Sequence, residues 1–516
     1  MHKIKFILTI KQLFFYNFLK NKLSLLFQLD ILTNARVQTR GIFMKQKIGL
    51  ILGPLLFLTF YFIPEITGLD DAPRAVLAVT LFVATWWITE AIPIPATSLI
   101  PLILLPLSGG TDEQVAASAY ADPIVFMYMG GFIIALAIEK WNLHKRIAMT
   151  IIAMMGSNSN RIILGTMIAT AFISMWISNA ATALMMLPIA LALIHEIQNA
   201  QFLKPESAHK FSKALLLTVA YSASIGGLAT LIGSVPNAVF AAIASSSLNR
   251  TVSFAQWMIF ALPLTIILLI ILYLLMTKWL FKIEDADQIS SDFAKKSLRD
   301  LGPMSLEEKL TGIVFLFVSI LWICGSLLPS SLHLSDTVIA MIGAVLLFLI
   351  PAKSHKGGLL VWDDMSKLPW GILLLFGGGL SLAAAFEDSG LTKWFGGMLG
   401  VVKPLPLILI VIVLTTGILF LTEVMSNTAV SNMLMPISIG FAAAISQDPF
   451  IIMGIVAVSS TCAFMLPIST PPNAAVFSSD ELEMKDMVKA GFILNIFTII
   501  VISLFAYFWL PIAFGL

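Results

Sequence analysis

Two short polar motifs interrupt long apolar stretches of this chain. One is the Ser-Asn pair at 178–179, with Ser174 one helical turn before it, and the other is the pair at 426–427, with Thr422 in the same place. Residues four apart share one side of a helix, so each motif gathers hydroxyl and amide oxygens. A helix interrupted inside a membrane also exposes unpaired carbonyls and amides. Such oxygens suit a hard cation such as sodium, while amide and hydroxyl hydrogens suit a carboxylate.

The two motifs belong to an internal duplication. Identical residues recur at a constant displacement of 248, among them Gly130, Gly131, Glu139, Leu143, Lys145, Ser178, Asn179 and Pro188. A displacement that stays constant over about sixty positions indicates a repeated unit. Duplicated halves with polar interruptions in apolar segments are typical of secondary transporters, which bind substrate near the middle of the bilayer between the repeats.

Each half carries a second interruption further along. The sequence GLATLIGSVPN at 227–237 and the sequence FMLPISTPPN at 464–473 both place glycine or proline in an apolar segment and end in Pro-Asn. We expect these second breaks to lie opposite the Ser-Asn motifs. Serine, asparagine and glycine also serve as packing residues in ordinary transmembrane helices, and that is the simpler interpretation of any single motif. Four motifs in the same order in both halves favour a binding site instead.

The composition requires a membrane. Of the 516 residues, 58% are hydrophobic and only 12% are charged, and the mean hydropathy is +0.94. A helix of about 20 apolar residues crosses a bilayer, and the apolar runs predict about eleven crossings. Alternating strands typical of a membrane barrel are absent from the sequence, so we expect an all-α polytopic membrane protein. Cys324 and Cys462 are the only cysteines and indicate neither a disulfide framework nor a metal site.

The chain divides into four parts. Residues 1–43 form a basic extension with seven Lys or Arg and one acidic residue, either a surface helix or a segment that precedes the true start at Met44. Residues 44–281 hold an N-terminal helix and the first repeat, 282–309 form a charged linker, and 310–516 hold the second repeat.

Positive charge predicts the orientation. Lysine and arginine concentrate on cytoplasmic loops, so the linker and the N-terminus should be cytoplasmic and the uncharged C-terminus outside, in the plasma (inner) membrane. An odd number of crossings per repeat would invert the two halves. Basic residues flank both arms of the first Ser-Asn motif, which predicts a re-entrant hairpin from the cytoplasm. The second motif has fewer, which predicts a hairpin entering from outside.

Ionisable groups within apolar segments are candidates for carrying protons. We interpret Glu139 and Glu387, which border lysines or lie near them, as interfacial, and Glu90 and Glu423 as structural. The sequence has no His-Glu-x-x-His or Gly-x-Ser-x-Gly motif and its six histidines do not cluster. We therefore expect a transporter, with no enzymatic activity and no nucleic-acid partner.

The segments GGFIIALAIEKWNLHKRIA, TEVMSNTAVSNMLMPI and STPPNAAVFSSDELEMKDMVKAGFILN, in this order, resemble the divalent anion/sodium symporter family, the dicarboxylate and citrate transporters, over 44–516. The resemblance implies a homodimer in which a transport domain moves like an elevator against a scaffold. It also implies roles for particular residues. Sodium would be held by Ser174, Ser178, Asn179 and Gly233 in one site, and by Thr422, Met425, Asn427 and Ser469 in the other. Substrate carboxylates would be held by Asn179, Ser234, Asn427, Thr428, Thr470 and Pro471.

Two positions depart from the family pattern. Ala180 lacks the hydroxyl that Thr428 supplies in the second motif, and Val235 replaces the first proline of the usual pair. We expect sodium-coupled uptake of C4-dicarboxylates such as succinate, malate or fumarate by alternating access. A sodium-independent dicarboxylate exchanger and a citrate or sulfate transporter are the alternatives.

Overall fold

A computed structural model describes residues 44–62, 69–156, 158–200, 203–283, 291–325, 334–354, 356–399 and 404–516. The N-terminal extension, 1–43, and part of the linker lie outside the described residues. Within them the chain is helical throughout, with one isolated bridge between Pro351 and Gly358 and no strand. This confirms the all-α fold.

The helices of the first half follow one another with short connections. They are α1 (44–62), α2 (Asp71–Thr89), α3 (Ile94–Thr97), α4 (Ile100–Leu107), α5 (Glu113–Ser118), α6 (Pro123–Lys140), α7 (Leu143–Met155), α8 (Ser159–Ser174), α9 (Asn179–Ala200), α10 (Pro205–Gly226), α11 (Val235–Leu248) and α12 (Phe254–Leu274).

The linker contributes a short helix, and the remaining helices belong to the second half. They are α13 (Ser291–Asp300), α14 (Leu306–Cys324), α15 (Asp336–Leu349), α16 (Trp370–Asp388), α17 (Leu391–Leu399), α18 (Leu407–Thr422), α19 (Asn427–Ala444), α20 (Pro449–Thr461), α21 (Pro471–Phe477), α22 (Met484–Leu504) and α23 (Leu510–Phe514).

Helix starts are specified locally. Asp122 and Asp448 precede the prolines that begin α6 and α20, and each aspartate accepts a hydrogen bond of 2.9 Å from the backbone N–H two residues on. Proline suits a first helical position because its missing N–H would be unpaired there in any case. A side-chain oxygen before it satisfies one of the remaining free N–H groups.

Among the described residues, six helical stretches are long and apolar enough to cross a membrane, and five shorter helices are also apolar. On α14 the side chains of Ile313, Leu316 and Ile320 are more than half exposed. These residues lie three, four and seven apart and so form one stripe along the helix. A stripe of exposed isoleucine and leucine is suited to contact with lipid, which fits a multi-pass membrane protein.

The order of helices repeats. Helix α8 and helix α18 have 16 residues each, and both of their ends are displaced by 248. Each is followed by four residues outside helix and then by the helix that begins at the asparagine of the Ser-Asn pair. In both copies of the Gly-Gly pair, a neighbouring segment lies too close to leave room for a side chain. A Cβ at Gly130 would meet the Ala340 backbone at 2.8 Å, and one at Gly378 would meet the Ser98 carbonyl at 2.5 Å.

The two halves pack crosswise. Helix α9 of the first repeat lies against α21 of the second, and α19 of the second repeat lies against α11 of the first. The helix that begins at the asparagine of each Ser-Asn pair therefore contacts the helix whose first turn holds the Pro-Asn pair of the other half. This arrangement places all four breaks in one region of the molecule.

Ion pairs fasten the end of the bundle where the linker lies. Lys140 donates to Asp364 at 2.7 Å, and Arg146 donates to Glu308 at 2.5 Å. Burial alone would raise the pKa of Asp364, but the hydrogen bonds from Lys140 and the Val361 N–H, with the charges of Lys140 and Lys367, lower it below its ordinary value. These contacts join the first repeat to the start of the second.

Candidate ion and substrate site

The first break, residues 175–178, lies where α8 ends and α9 begins, and oxygens from three segments converge on it. The Ser174 hydroxyl lies 2.6 Å from the Ala223 carbonyl and 2.8 Å from the amide of Asn179. The same amide atom lies 3.1 Å from the Gly233 carbonyl. We call this group of Ser174, Asn179, Ala223 and Gly233 the first cage.

The amide of Asn179 can present either of two atoms to the first cage. With nitrogen inward, the amide donates to Ser174 Oγ, to Gly233 O and to Ala223 O, the last at 3.2 Å. Oxygen and nitrogen of an amide are assigned from the surrounding hydrogen bonds, and these favour nitrogen inward, because an inward oxygen faces acceptors. With oxygen inward, four neutral oxygens face one another, and a hard cation such as sodium among them would offset their repulsion. The first cage is therefore a candidate sodium site in its oxygen-inward arrangement.

The second half repeats this arrangement. The third break, residues 423–426, separates α18 from α19. The Thr422 hydroxyl lies 2.8 Å from the Asn427 amide oxygen and 2.8 Å from the Ser460 carbonyl. We call this group of Thr422, Asn427 and Ser460 the second cage. The hydroxyl is buried, whereas Asn179 and Asn427 are both half-buried and so remain accessible from one side.

The Pro-Asn turns hold the second and fourth breaks, residues 227–234 and 462–470, in shape. The buried amide of Asn237 donates to the carbonyls of Gly227 at 2.9 Å and Thr230 at 2.8 Å. Asn473 likewise donates to the carbonyls of Ala463 at 3.2 Å and Leu466 at 3.1 Å. Carbonyls left unpaired in a break would be costly when buried, and one asparagine satisfies two of them in each half.

The two halves meet at these breaks. The hydroxyl of Ser234, at the start of α11, lies 2.9 Å from the hydroxyl of Thr461, at the end of α20. The Tyr128 hydroxyl contacts the carbonyls of Leu231 and Ser234. Ser234 adjoins Gly233 of the first cage and Thr461 adjoins Ser460 of the second, so the hydrogen bond between Ser234 and Thr461 links the two cages. The unpaired amides of the helix starts at each cage favour an anion. No lysine or arginine is among the residues whose contacts build the two cages.

The other residues expected from the sequence are placed near the breaks in different ways. Ser178 Oγ accepts a long hydrogen bond of 3.4 Å from the Ala181 N–H. The Thr428 carbonyl accepts hydrogen bonds from Ser431 and Asn432. Ser469 donates to the Leu466 carbonyl at 2.6 Å, and the Thr470 side chain caps α21. Met425 is buried, and Pro471 is exposed.

Several residues of the site have no signal in the sequence. Ala223 and Ser460 contribute backbone carbonyls, which every residue carries, from positions 49 and 38 residues away. Thr230 is buried and donates to the Met175 carbonyl, which ties the second break to the first. In this part of the repeat, matching residues are 236 positions apart, as Asn237 and Asn473 are. The same displacement matches Thr230 with Leu466, so the repeat could have identified these two positions together.

These features define a class of protein, the all-helical membrane transporters. The fold is similar to a solved structure described as the Alcanivorax borkumensis YdaH transporter, with a TM-score of 0.54, 13% sequence identity, and coverage of 86% of this chain and 99% of that chain. A likeness at this level of identity concerns the fold alone.

Sequence comparison gives the family. The model described as "Sodium:sulfate symporter transmembrane region" matches residues 44–515. A protein named sodium-dependent dicarboxylate transporter SdcS from Staphylococcus saprophyticus is 43% identical over 482 residues, covering 91% of this chain and 92% of that protein. The SdcS of Staphylococcus aureus is 42% identical over 488 residues, with the same coverage of each. The chain belongs to the sodium:sulfate symporter family. Both of these relatives are named as transporters rather than as enzymes.

Proposed function

We propose that this protein imports a dicarboxylate together with sodium ions across the plasma membrane. The observation that carries the proposal is the pair of cages, each built from a hydroxyl, an asparagine amide and one or two backbone carbonyls at the end of an interrupted helix. The relatives named sodium-dependent dicarboxylate transporter support the same pair of ligands.

Each cage would hold one sodium ion. We assign Ser174, Ser178, Asn179 and Gly233 to the first site and Thr422, Met425, Asn427 and Ser469 to the second. The substrate would be bound between the sites by Asn179, Ser234, Asn427, Thr428, Thr470 and Pro471. Ala180 offers no hydroxyl opposite Thr428, so the two carboxylates of the substrate would be held by unequal sets of donors.

The amide of Asn179 would couple the two ligands. A sodium ion in a cage requires the amide oxygen inward, which turns the NH₂ group outward. An outward NH₂ group donates hydrogen bonds and so suits a carboxylate. Without the cation, the amide nitrogen of Asn179 satisfies the cage oxygens and is withdrawn from the substrate. Sodium binding thus prepares the donors that the anion needs.

Charge balance favours cotransport. Moving a dianion inward against a potential of about 100 mV costs about 4.6 kcal/mol, at about 2.3 kcal/mol per charge. Two sodium ions cancel this cost, and a third would make import electrically favourable. We assign the movement to an elevator-type transport domain within a homodimer, with inverted repeats, a cytoplasmic N-terminus and the C-terminus outside.

Uptake into proteoliposomes tests the proposal. Radiolabelled succinate should accumulate when a sodium gradient is imposed and should not when choline replaces sodium. Equal uptake in both salts would contradict symport. Counterflow with unlabelled dicarboxylate inside and no sodium would instead identify the exchanger. Asn427→Ala and Thr428→Ala should lose uptake, and a panel with citrate and sulfate defines which anion is preferred.

A further inference from the structure

Glu423 is a buried carboxylate directly beside the second cage. It follows Thr422 in the chain, and only 3% of its surface is exposed. Its Oε1 accepts hydrogen bonds from the backbone N–H groups of Phe464 at 2.8 Å and Met465 at 3.1 Å, and from the Asn495 amide at 2.7 Å. Its Oε2 accepts from the Met465 N–H at 3.0 Å.

The contacts of Glu423 suit the ionised form. Every partner is a hydrogen-bond donor, whereas a protonated carboxyl would need an acceptor for its own hydrogen. Hydrogen bonds to the charged form stabilise the charge in a buried position. In the described part of the chain no lysine, arginine or histidine forms an ion pair with this carboxylate. Its negative charge is therefore held by neutral donors alone.

Through these hydrogen bonds Glu423 fixes the fourth break. Phe464 and Met465 lie within the break, three and four residues after α20 ends. Helix α22 packs closely against these two residues from the other side. A Cβ at Gly491 on α22 would overlap the Phe464 backbone, and Asn495 lies one turn later on the same helix. The same carboxylate thus joins the end of α18, the fourth break and α22.

The first repeat has no counterpart of this charge. The residue 248 positions before Glu423 is Met175. There the break is fastened by the neutral hydroxyl of Thr230, which donates to the Met175 carbonyl and accepts from the Gly233 N–H at 3.1 Å. The two cages are alike in their oxygens but differ in the charge next to them.

We propose that Glu423 is a positioning residue that makes the second cage bind sodium more tightly than the first. This inference rests on the proposed function. Because Glu423 adjoins Thr422 in sequence, its charge lies within about 10 Å of the cage, where one charge at an effective dielectric constant of about 20 changes affinity about tenfold or more. The second cage then fills first as sodium rises, and the first cage completes the site for the anion.

Sodium binding to purified protein without substrate tests this inference. We would follow the rise in unfolding temperature with sodium, choline keeping ionic strength constant, and the sodium dependence of succinate uptake. Glu423→Gln should raise the sodium concentration for half-maximal effect about tenfold, with a less than threefold change in KM for succinate at saturating sodium. Glu423→Asp retains the charge and should stay within about threefold of wild type. Glu196→Gln, the same change at an exposed position on α9, should leave the sodium dependence unchanged.

The outcomes separate this inference from the proposed function. Wild-type sodium dependence in Glu423→Gln, or an equal defect in Glu423→Asp, would overturn the role of the charge. If Asn427→Ala loses sodium-dependent uptake in the same experiment, the proposed function is still supported even where the role of Glu423 is overturned. If Glu423→Gln does not fold, Met175→Glu supplies the test: a carboxylate beside the first cage should lower the half-saturating sodium concentration, and an unchanged value would overturn the inference.

Discussion

The hydroxyl of Ser234 lies 2.9 Å from the hydroxyl of Thr461, and the two residues belong to different repeats. Ser234 precedes α11, whereas Thr461 ends α20. One hydrogen bond therefore joins the second break of the first half to the beginning of the fourth break. If one of these two segments moves relative to the other, this hydrogen bond is lost; it persists only if both hydroxyls move together.

A double-mutant cycle measures that contact. Ser234→Ala and Thr461→Val should each raise KM for the dicarboxylate, and the double variant should be less impaired than the two single effects combined. The coupling should be about 1 kcal/mol, the net value of a typical hydrogen bond. Additive effects on KM would show that the two hydroxyls act independently.

The hydroxyls of the cages should determine sodium affinity. Ser174→Ala removes one oxygen from the first cage, and we expect the sodium concentration for half-maximal uptake to rise about tenfold, as for loss of about 1.4 kcal/mol. Thr170→Ala is the matched control, because its hydroxyl is buried one turn earlier on α8 and bonds only to the Thr166 carbonyl. Thr422→Ser retains an oxygen and should stay close to wild type. A sodium curve for Ser174→Ala that matches the control would exclude Ser174 as a ligand.

Gly227 allows the second break to approach Asn179. A Cβ at this position would overlap the Asn179 amide oxygen and would lie 2.9 Å from the Gly233 carbonyl. Gly227→Ala should therefore abolish sodium-dependent uptake even where the protein is inserted normally. Gly417→Ala, in the apolar helix α18, meets no atom within 4 Å and should transport normally. Full activity in both variants would be inconsistent with the geometry of the first cage.

Asn237 should contribute to stability as well as transport. Its buried amide pairs the Gly227 and Thr230 carbonyls, and alanine would leave both unpaired. At about 1 kcal/mol per hydrogen bond, Asn237→Ala should lower the unfolding temperature of the solubilised protein by several degrees. Asn199→Ala, an exposed position on α9, should leave it unchanged. Intrinsic fluorescence during heating gives the measurement, and identical unfolding of the two variants would refute the structural role.

The lowered pKa of Asp364 predicts a dependence of stability on pH. A carboxyl whose pKa is lowered on folding stabilises the folded protein when the pH is above the ordinary pKa of the group, about 4. This stabilisation is lost as the pH falls through the lowered pKa of the folded state. Asp364→Asn should therefore unfold at a lower temperature than wild type at pH 7, and the difference should shrink below pH about 4. A difference that is constant between pH 7 and pH 3 would assign the effect to packing rather than to charge.

Much of the fold follows from local pattern. Long apolar runs, proline-led helix starts and the displacement of 248 predict the helices and their repetition. The same spacing predicts that Ser174 and Asn179 lie together, and Thr422 and Asn427 likewise, because each hydroxyl is only five positions before its asparagine. These contacts are set within a few residues of chain, where the sequence is most informative.

Contacts between segments that are distant in the chain could not be predicted from local sequence pattern. The carbonyl of Ala223 reaches Ser174 across 49 residues, and the pairing of Ser234 with Thr461 depends on how whole helices pack. From the sequence we interpret Glu423 only as structural, because its backbone and amide partners come from the distant fourth break and from α22. Domain boundaries, the number of crossings and the roles of individual site residues remain predictions.

The crosswise packing of α9 with α21 and of α19 with α11 means that neither repeat builds the region of the breaks by itself. Ala180 lies on α9 and Val235 on α11, so a substitution at either position also changes the surroundings of a helix that the other repeat contributes. We therefore expect ligand preference to depend on both repeats together.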